Sequence, residues 1–137
     1  MPDGSLEAIG VFDVLEHLED PESLLAEMHR ILRPGGVVVA NVPALQALWG
    51  DEDDVAGHHR RYRRATLTSA FTDVGFIPLS TEYLFASLVA PAAVLRALPY
   101  RLGRRSYDEA VLERLRGQLA TESTADRLVR SALGWET

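Results

Sequence analysis

Residues 6–43 carry the pattern that most constrains what this chain can fold into: two apolar runs of strand length separated by one capped helix. Leu6 to Val14 holds Ala8, Ile9, Val11, Phe12 and Val14 with few charges. A near-continuous apolar run of that length suits a strand whose two faces are both covered in a parallel sheet. Asp20 stands at an N-cap, Pro21 at the first helical position and Glu22 where the helix dipole favours an acid. Leu24, Leu25, Met28, Ile31 and Leu32 then form a single buried stripe, and Pro34-Gly35-Gly36 is expected to stop the helix. Val37 to Val42 is a second apolar strand. A strand, helix, strand unit of this kind makes two parallel strands joined by a right-handed crossover, which sets the fold class as α/β.

The remaining chain is read from weaker signals. After Pro43 an acidic cluster, Asp51 to Asp54, precedes Gly57-His58-His59-Arg60-Arg61-Tyr62-Arg63-Arg64. This reads as a long loop with a helical turn near Leu45 to Trp49, and long loops in compact domains are more often functional than not. Leu67, Ala70, Phe71 and Val74 predict an amphipathic helix closed by Gly75. Phe76 to Phe85 reads as a third strand, with Pro78 marking an edge or a bulge. Ala86 to Leu98 reads as an apolar helix bent at Pro91. Val111 to Leu119 and Leu128 to Leu133 carry further helical patterns. One domain over 1–137 is expected, with 1–83 as its core and 84–137 as a helical C-terminal segment.

Composition removes several classes of function. The 137 residues include no cysteine, which excludes disulfides and thiolate chemistry. All 14 basic residues are arginine, yet the net charge is −6, so nothing draws the chain generally to phosphate backbones and no nucleic-acid partner is expected. The start of the sequence has neither a basic leader nor an apolar signal region, which points to the cytoplasm. The longest apolar stretch, Tyr83 to Leu95, is interrupted by Ser87 and Pro91 and is shorter than the roughly 20 residues a membrane span needs.

Several landmarks occur in one order: Asp3-Gly4-Ser5 before an apolar strand, Leu15-Glu16-His17, Asp20-Pro21, Leu32-Arg33-Pro34-Gly35-Gly36, Val42-Pro43 and Gly57-His58-His59-Arg60-Arg61-Tyr62. Over Pro2 to Phe76 this order resembles the class I S-adenosylmethionine-dependent methyltransferases of small-molecule type. The resemblance implies a partial doubly wound, Rossmann-like sheet. In it Leu6 to Val14, Val37 to Val42 and Phe76 to Phe85 are strands four to six of the family fold, with flanking helices. The family's glycine-rich loop after its first strand, the acidic residue ending its second, and its seventh strand have no counterpart here. By that comparison the sequence looks truncated at both ends, and its unpaired sheet edges invite self-association.

The resemblance also implies S-adenosylmethionine as cofactor and a small organic molecule as methyl acceptor. Phe12, Asp13 and Leu15, at the end of the first strand, would then contact the cofactor. The loop supplies the acceptor chemistry: His58 and Tyr62 as candidate catalytic residues and Arg61 as a candidate substrate-binding residue, since imidazole can take a proton near neutral pH and arginine can grip a carboxylate. The competing role for Arg61 and Tyr62 is to pin the loop, with Arg60, Arg63 and Arg64 solvated or paired with Asp51 to Asp54. Glu16 and His17 read first as supports for the helix start. No metal is expected, because adjacent histidines diverge on most backbones and the spacing of His58 and His59 matches no common ligand motif. A non-catalytic α/β scaffold lacking the cofactor-anchoring loop is the alternative function.

Overall fold

The two strands expected at the start of the chain pair in parallel in a computed structural model, which describes residues 1–104. β1 is Leu6–Phe12 and β2 is Leu32–Asn41, and α1, Pro21–Ile31, crosses between them. The Asp20 carboxylate accepts from the backbone N–H groups of Glu22 and Ser23, so the helix begins where the cap and proline place it. It ends at Ile31, one residue earlier than the stripe suggests. Arg33-Pro34-Gly35-Gly36 does not terminate the helix but lies inside β2 as a bulge: Leu6 aligns with Leu32, yet Ala8 aligns with Val37. Gly35 takes a left-handed φ of 79°, and a Cβ on Gly36 would lie 3.1 Å from the Glu7 carbonyl oxygen. Glycine is required at both, by conformation at the first and by close approach at the second.

One face of this two-stranded sheet is covered and the other is open. Val11, Leu15, Leu24, Leu25, Met28 and Tyr62 form the buried core. Ile9, Val38 and Ala40 pack against it from the sheet, and Leu67, Ala70 and Phe71 pack from α3, Arg64–Asp73. On the opposite face Phe12, Val37 and Val39 are exposed. The sequence reading, with both strand faces buried, therefore holds for one face only among the described residues.

The expected long loop contains a helix that the sequence reading lacks. α2, Asp51–Ala56, follows a 3₁₀ turn at Gln46–Leu48 and ends at Gly57, whose φ is 72°. Four acids at its first positions suit the positive end of the helix dipole. The loop returns to the sheet where Tyr62 N–H donates to Pro43 and Leu45 N–H to Tyr62, at 2.9 and 2.8 Å.

The third strand does not form. Phe76 to Phe85 pairs with no strand among the described residues, and its first part stands off β2 across a cleft of about 750 Å³ lined by Val37 and Val38 on one side and Ile77 to Glu82 on the other. Ile77 and Leu79 are 85% and 87% exposed. A strand needs a partner edge, and Pro78 has no N–H to offer one.

Ala86 to Arg101 is helical, as expected at its start, but extends past Leu98. It begins as a 3₁₀ turn at Ala86–Leu88, continues through α4, Val89–Ala92, widens to a π-helix at Ala93–Ala97 and ends as α5, Leu98–Arg101. The widened turn lies just before Pro99, whose ring and missing N–H disrupt the ordinary i→i−4 ladder. The helical patterns expected at Val111 to Leu119 and Leu128 to Leu133 lie outside the described residues. No helix among the described residues is long and apolar enough to cross a membrane.

Candidate functional site

At the carboxyl ends of the two strands the chain gathers a polar cluster from two segments. The first segment follows β1. Asp13 adopts a left-handed φ of 51°, and it is tied to β2 by its own N–H on the Asn41 carbonyl and by Asn41 Nδ2 on its carboxylate. Leu15–His17 then forms a 3₁₀ turn. The second segment is α2 with residues 58–62. It is fastened over the first by His59 N–H donating to the Glu16 carbonyl at 2.7 Å and by Arg60 donating to the carbonyls of Leu18 and Glu19.

Asp53 organises the second segment. It is 1% exposed and accepts from Arg61 Nε at 2.8 Å, Arg61 Nη2 at 2.9 Å and the Gly50 N–H at 2.9 Å, while His58 Nδ1 lies 2.9 Å from its Oδ1. Burial by itself would push this carboxyl up. The forked guanidinium, the imidazole and the backbone N–H outweigh burial and hold it below the ordinary aspartate value. Arg61 also donates to the Ala44 carbonyl, so the guanidinium expected to grip substrate is engaged within the fold. Tyr62 is buried, and its hydroxyl donates to the Leu15 carbonyl at 3.2 Å. Burial raises its pKa. Both residues thus join the returning loop to the rest of the fold.

Glu16 is the second buried acid. Its side chain is fully inaccessible, and neither carboxylate oxygen has a hydrogen-bond partner. Desolvation pushes its pKa up. Beside it, the His17 and His58 rings meet edge to face with centroids 4.7 Å apart. The His17 pKa is lowered by burial and by the neighbouring His58 and His59. One donor atom each from Glu16, His17 and His58 lies within 4.8 Å of the others. Glu16 and His17, read in the sequence as supports for the helix start, thus belong with His58. The signal was present as Glu16-His17 and His58, but only the fold of α2 brings them together.

The three residues expected at the cofactor divide. Phe12 is 59% exposed at the end of β1, its ring folded over Gly10, where a Cβ would come within 2.8 Å of it. Asp13 is exposed next to it. The Leu15 side chain is 1% exposed in the core, so it supports the turn from below and offers no surface to a ligand. The acidic cluster also differs from expectation: Arg61 takes Asp53, Arg96 takes Glu52, and Asp54 accepts from Trp49 and Tyr100.

Comparisons with known proteins cover the segment that holds this cluster. A family model described as a methyltransferase domain matches residues 1–81. A probable S-adenosylmethionine-dependent methyltransferase of Mycolicibacterium smegmatis is 33% identical over 78 residues, 56% of this chain and 30% of that protein. A like-named protein of Mycobacterium tuberculosis is 30% identical over 87 residues, 62% of this chain and 32% of its own length. An uncharacterized 37.1 kDa protein in a transposon of Streptomyces fradiae is 40% identical over 55 residues, 40% of this chain and 16% of that protein. These matches span about a third or less of each relative. No solved structure matches.

Proposed function

The chain belongs to the family of methyltransferase domains, and from that premise we propose that it takes part in S-adenosylmethionine-dependent methyl transfer to a small organic acceptor, supplying the acceptor side of the site. The observation that carries this reading is the polar cluster beyond the carboxyl ends of β1 and β2, where open α/β sheets bind their ligands. Residues near the cluster fit part of the cofactor. Phe12 offers an exposed ring and Asp13 a carboxylate, both at the open end of β1. When bound, S-adenosylmethionine supplies a methyl group on a positively charged sulfur.

In this reading each of the chain's own residues has a part. Asp53 holds His58 at Nδ1, which leaves Nε2 as the ring's free nitrogen. In this reading that atom accepts the proton that an acceptor hydroxyl or amine gives up as its heteroatom bonds to the methyl carbon. Arg61 and Tyr62 act by positioning: one fixes Asp53 and the other joins the returning loop to the turn after β1. The cytoplasm is the proposed compartment, and nucleic acid is not a proposed partner. The exposed apolar face bearing Phe12, Val37 and Val39 is the proposed route to self-association, which sedimentation velocity at increasing concentration would detect.

Isothermal titration of the full 137-residue chain with S-adenosylmethionine tests the reading. Binding in the micromolar range, weakened by Asp13→Ala, is the expected result. No heat at millimolar cofactor would favour the second reading, a non-catalytic scaffold.

A further inference from the structure

Burying a carboxylate with neither oxygen hydrogen-bonded costs several kcal/mol unless the group takes a proton or meets a cation. Glu16 is in that position, fully inaccessible and aimed into the space beside two imidazoles. We propose that Glu16, His17 and His58 form a binding site for one divalent transition-metal ion of zinc type.

The surroundings are those of ligands prepared for metal. His58 already has Nδ1 on the Asp53 carboxylate, and the backbone of Ala56 lies beside the His17 ring. A carboxylate behind a histidine is the usual means of fixing its tautomer and orientation at a metal. Asp53 is itself anchored by Arg61 and Gly50, so His58 is supported through two layers. Donors around one tetrahedral zinc ion sit roughly 3.4 Å apart, given metal–ligand lengths near 2.1 Å. The three donor atoms here lie within 4.8 Å of one another, a separation that small side-chain rotations close. Two imidazoles and one carboxylate suit zinc, iron or manganese and leave positions for water.

An ion bound to His58 competes with the use of that ring as proton acceptor, so the two uses exclude each other at any moment. The test is therefore made with metal alone, without donor or acceptor, and either assignment can fail by itself. Tag-free, chelator-stripped chain is titrated with Co²⁺, followed by its visible absorption, and with Zn²⁺, followed by calorimetry and by the shift in melting temperature. One equivalent should bind, with Co²⁺ displaced by Zn²⁺. Glu16→Gln and His58→Ala should each weaken binding by more than about tenfold, and Asp53→Asn by about tenfold. His29→Ala, which removes a histidine packed on Phe76 away from the cluster, should bind within about twofold of wild type. Glu16→Gln keeps the side-chain shape, and circular dichroism reports whether the variant is folded. No uptake of either metal by the wild-type chain, or Glu16→Gln binding as wild type does, overturns the proposal.

Discussion

Asp53 and Glu16 are buried to the same degree in one cluster, and the chain resolves them in opposite ways. Asp53 has a fork of arginine, an imidazole and a backbone N–H, and its pKa falls despite burial. Glu16 has no partner on either oxygen, and its pKa rises. One acid holds the loop in place. The other is stored at a cost to stability, which is what a residue kept for a ligand is expected to show, since local rules of good packing are broken mainly at functional sites.

The largest effect that would break this contrast is removal of the Asp53 clamp. Arg61→Ala leaves buried Asp53 with only His58 and the Gly50 N–H, and urea unfolding should show a loss of about 3 kcal/mol. A loss under about 1 kcal/mol would mean that the clamp does not hold the loop. The pH dependence of the chelator-treated chain sharpens the contrast. Asp53, with a depressed folded pKa, contributes stability that is present above its ordinary value of 3.8 and lost as pH falls through the lower folded value. Glu16, with a raised folded pKa, favours the fold below its ordinary 4.5 and loses that contribution as pH rises through the raised value. Denaturant melts from pH 2 to 8 on wild type, Asp53→Asn and Glu16→Gln should therefore lose the acid-side fall and the neutral-side fall respectively.

Smaller effects follow. Tyr62→Phe removes one hydrogen bond to the Leu15 carbonyl and should cost about 1 kcal/mol by the same unfolding assay, with the loop's other attachments intact. Glu16→Gln should move in the opposite direction, stabilising the metal-free chain at pH 7 by up to about 1 kcal/mol because it removes an ionisable group from a dry site. A destabilised Glu16→Gln would show that the carboxylate has a partner in solution.

Legibility of the fold in the sequence varied with the range of the interaction responsible. Asp20-Pro21 and the Leu24, Leu25, Met28, Ile31 stripe predict α1 to within a residue, because caps and periodicity act inside one helix. The parallel pairing of β1 and β2 follows from the same segment through the handedness of the crossover. Phe76 to Phe85 has strand composition and forms no strand, since pairing depends on an edge elsewhere. The bulge at Arg33 to Gly36 reads as a helix stop because glycine and proline signal a turn without saying which side of it belongs to a strand. At the site, His58 and Arg61 were identifiable as chemical residues, but that Arg61 pairs with Asp53 depends on a helix the sequence pattern did not show.

The amino-acid order alone determined the strand, helix, strand unit and the landmarks from Asp3 to Tyr62 that place the chain in its family. Those depend on local propensity, period and spacing. Tertiary structure alone decided that α2 folds back over the turn after β1, bringing His58, 41 positions along the chain, to Glu16 and His17. Burial and hydrogen-bond partners are properties of that return, so which acid is satisfied and which is left for a ligand could be decided only once the chain had closed.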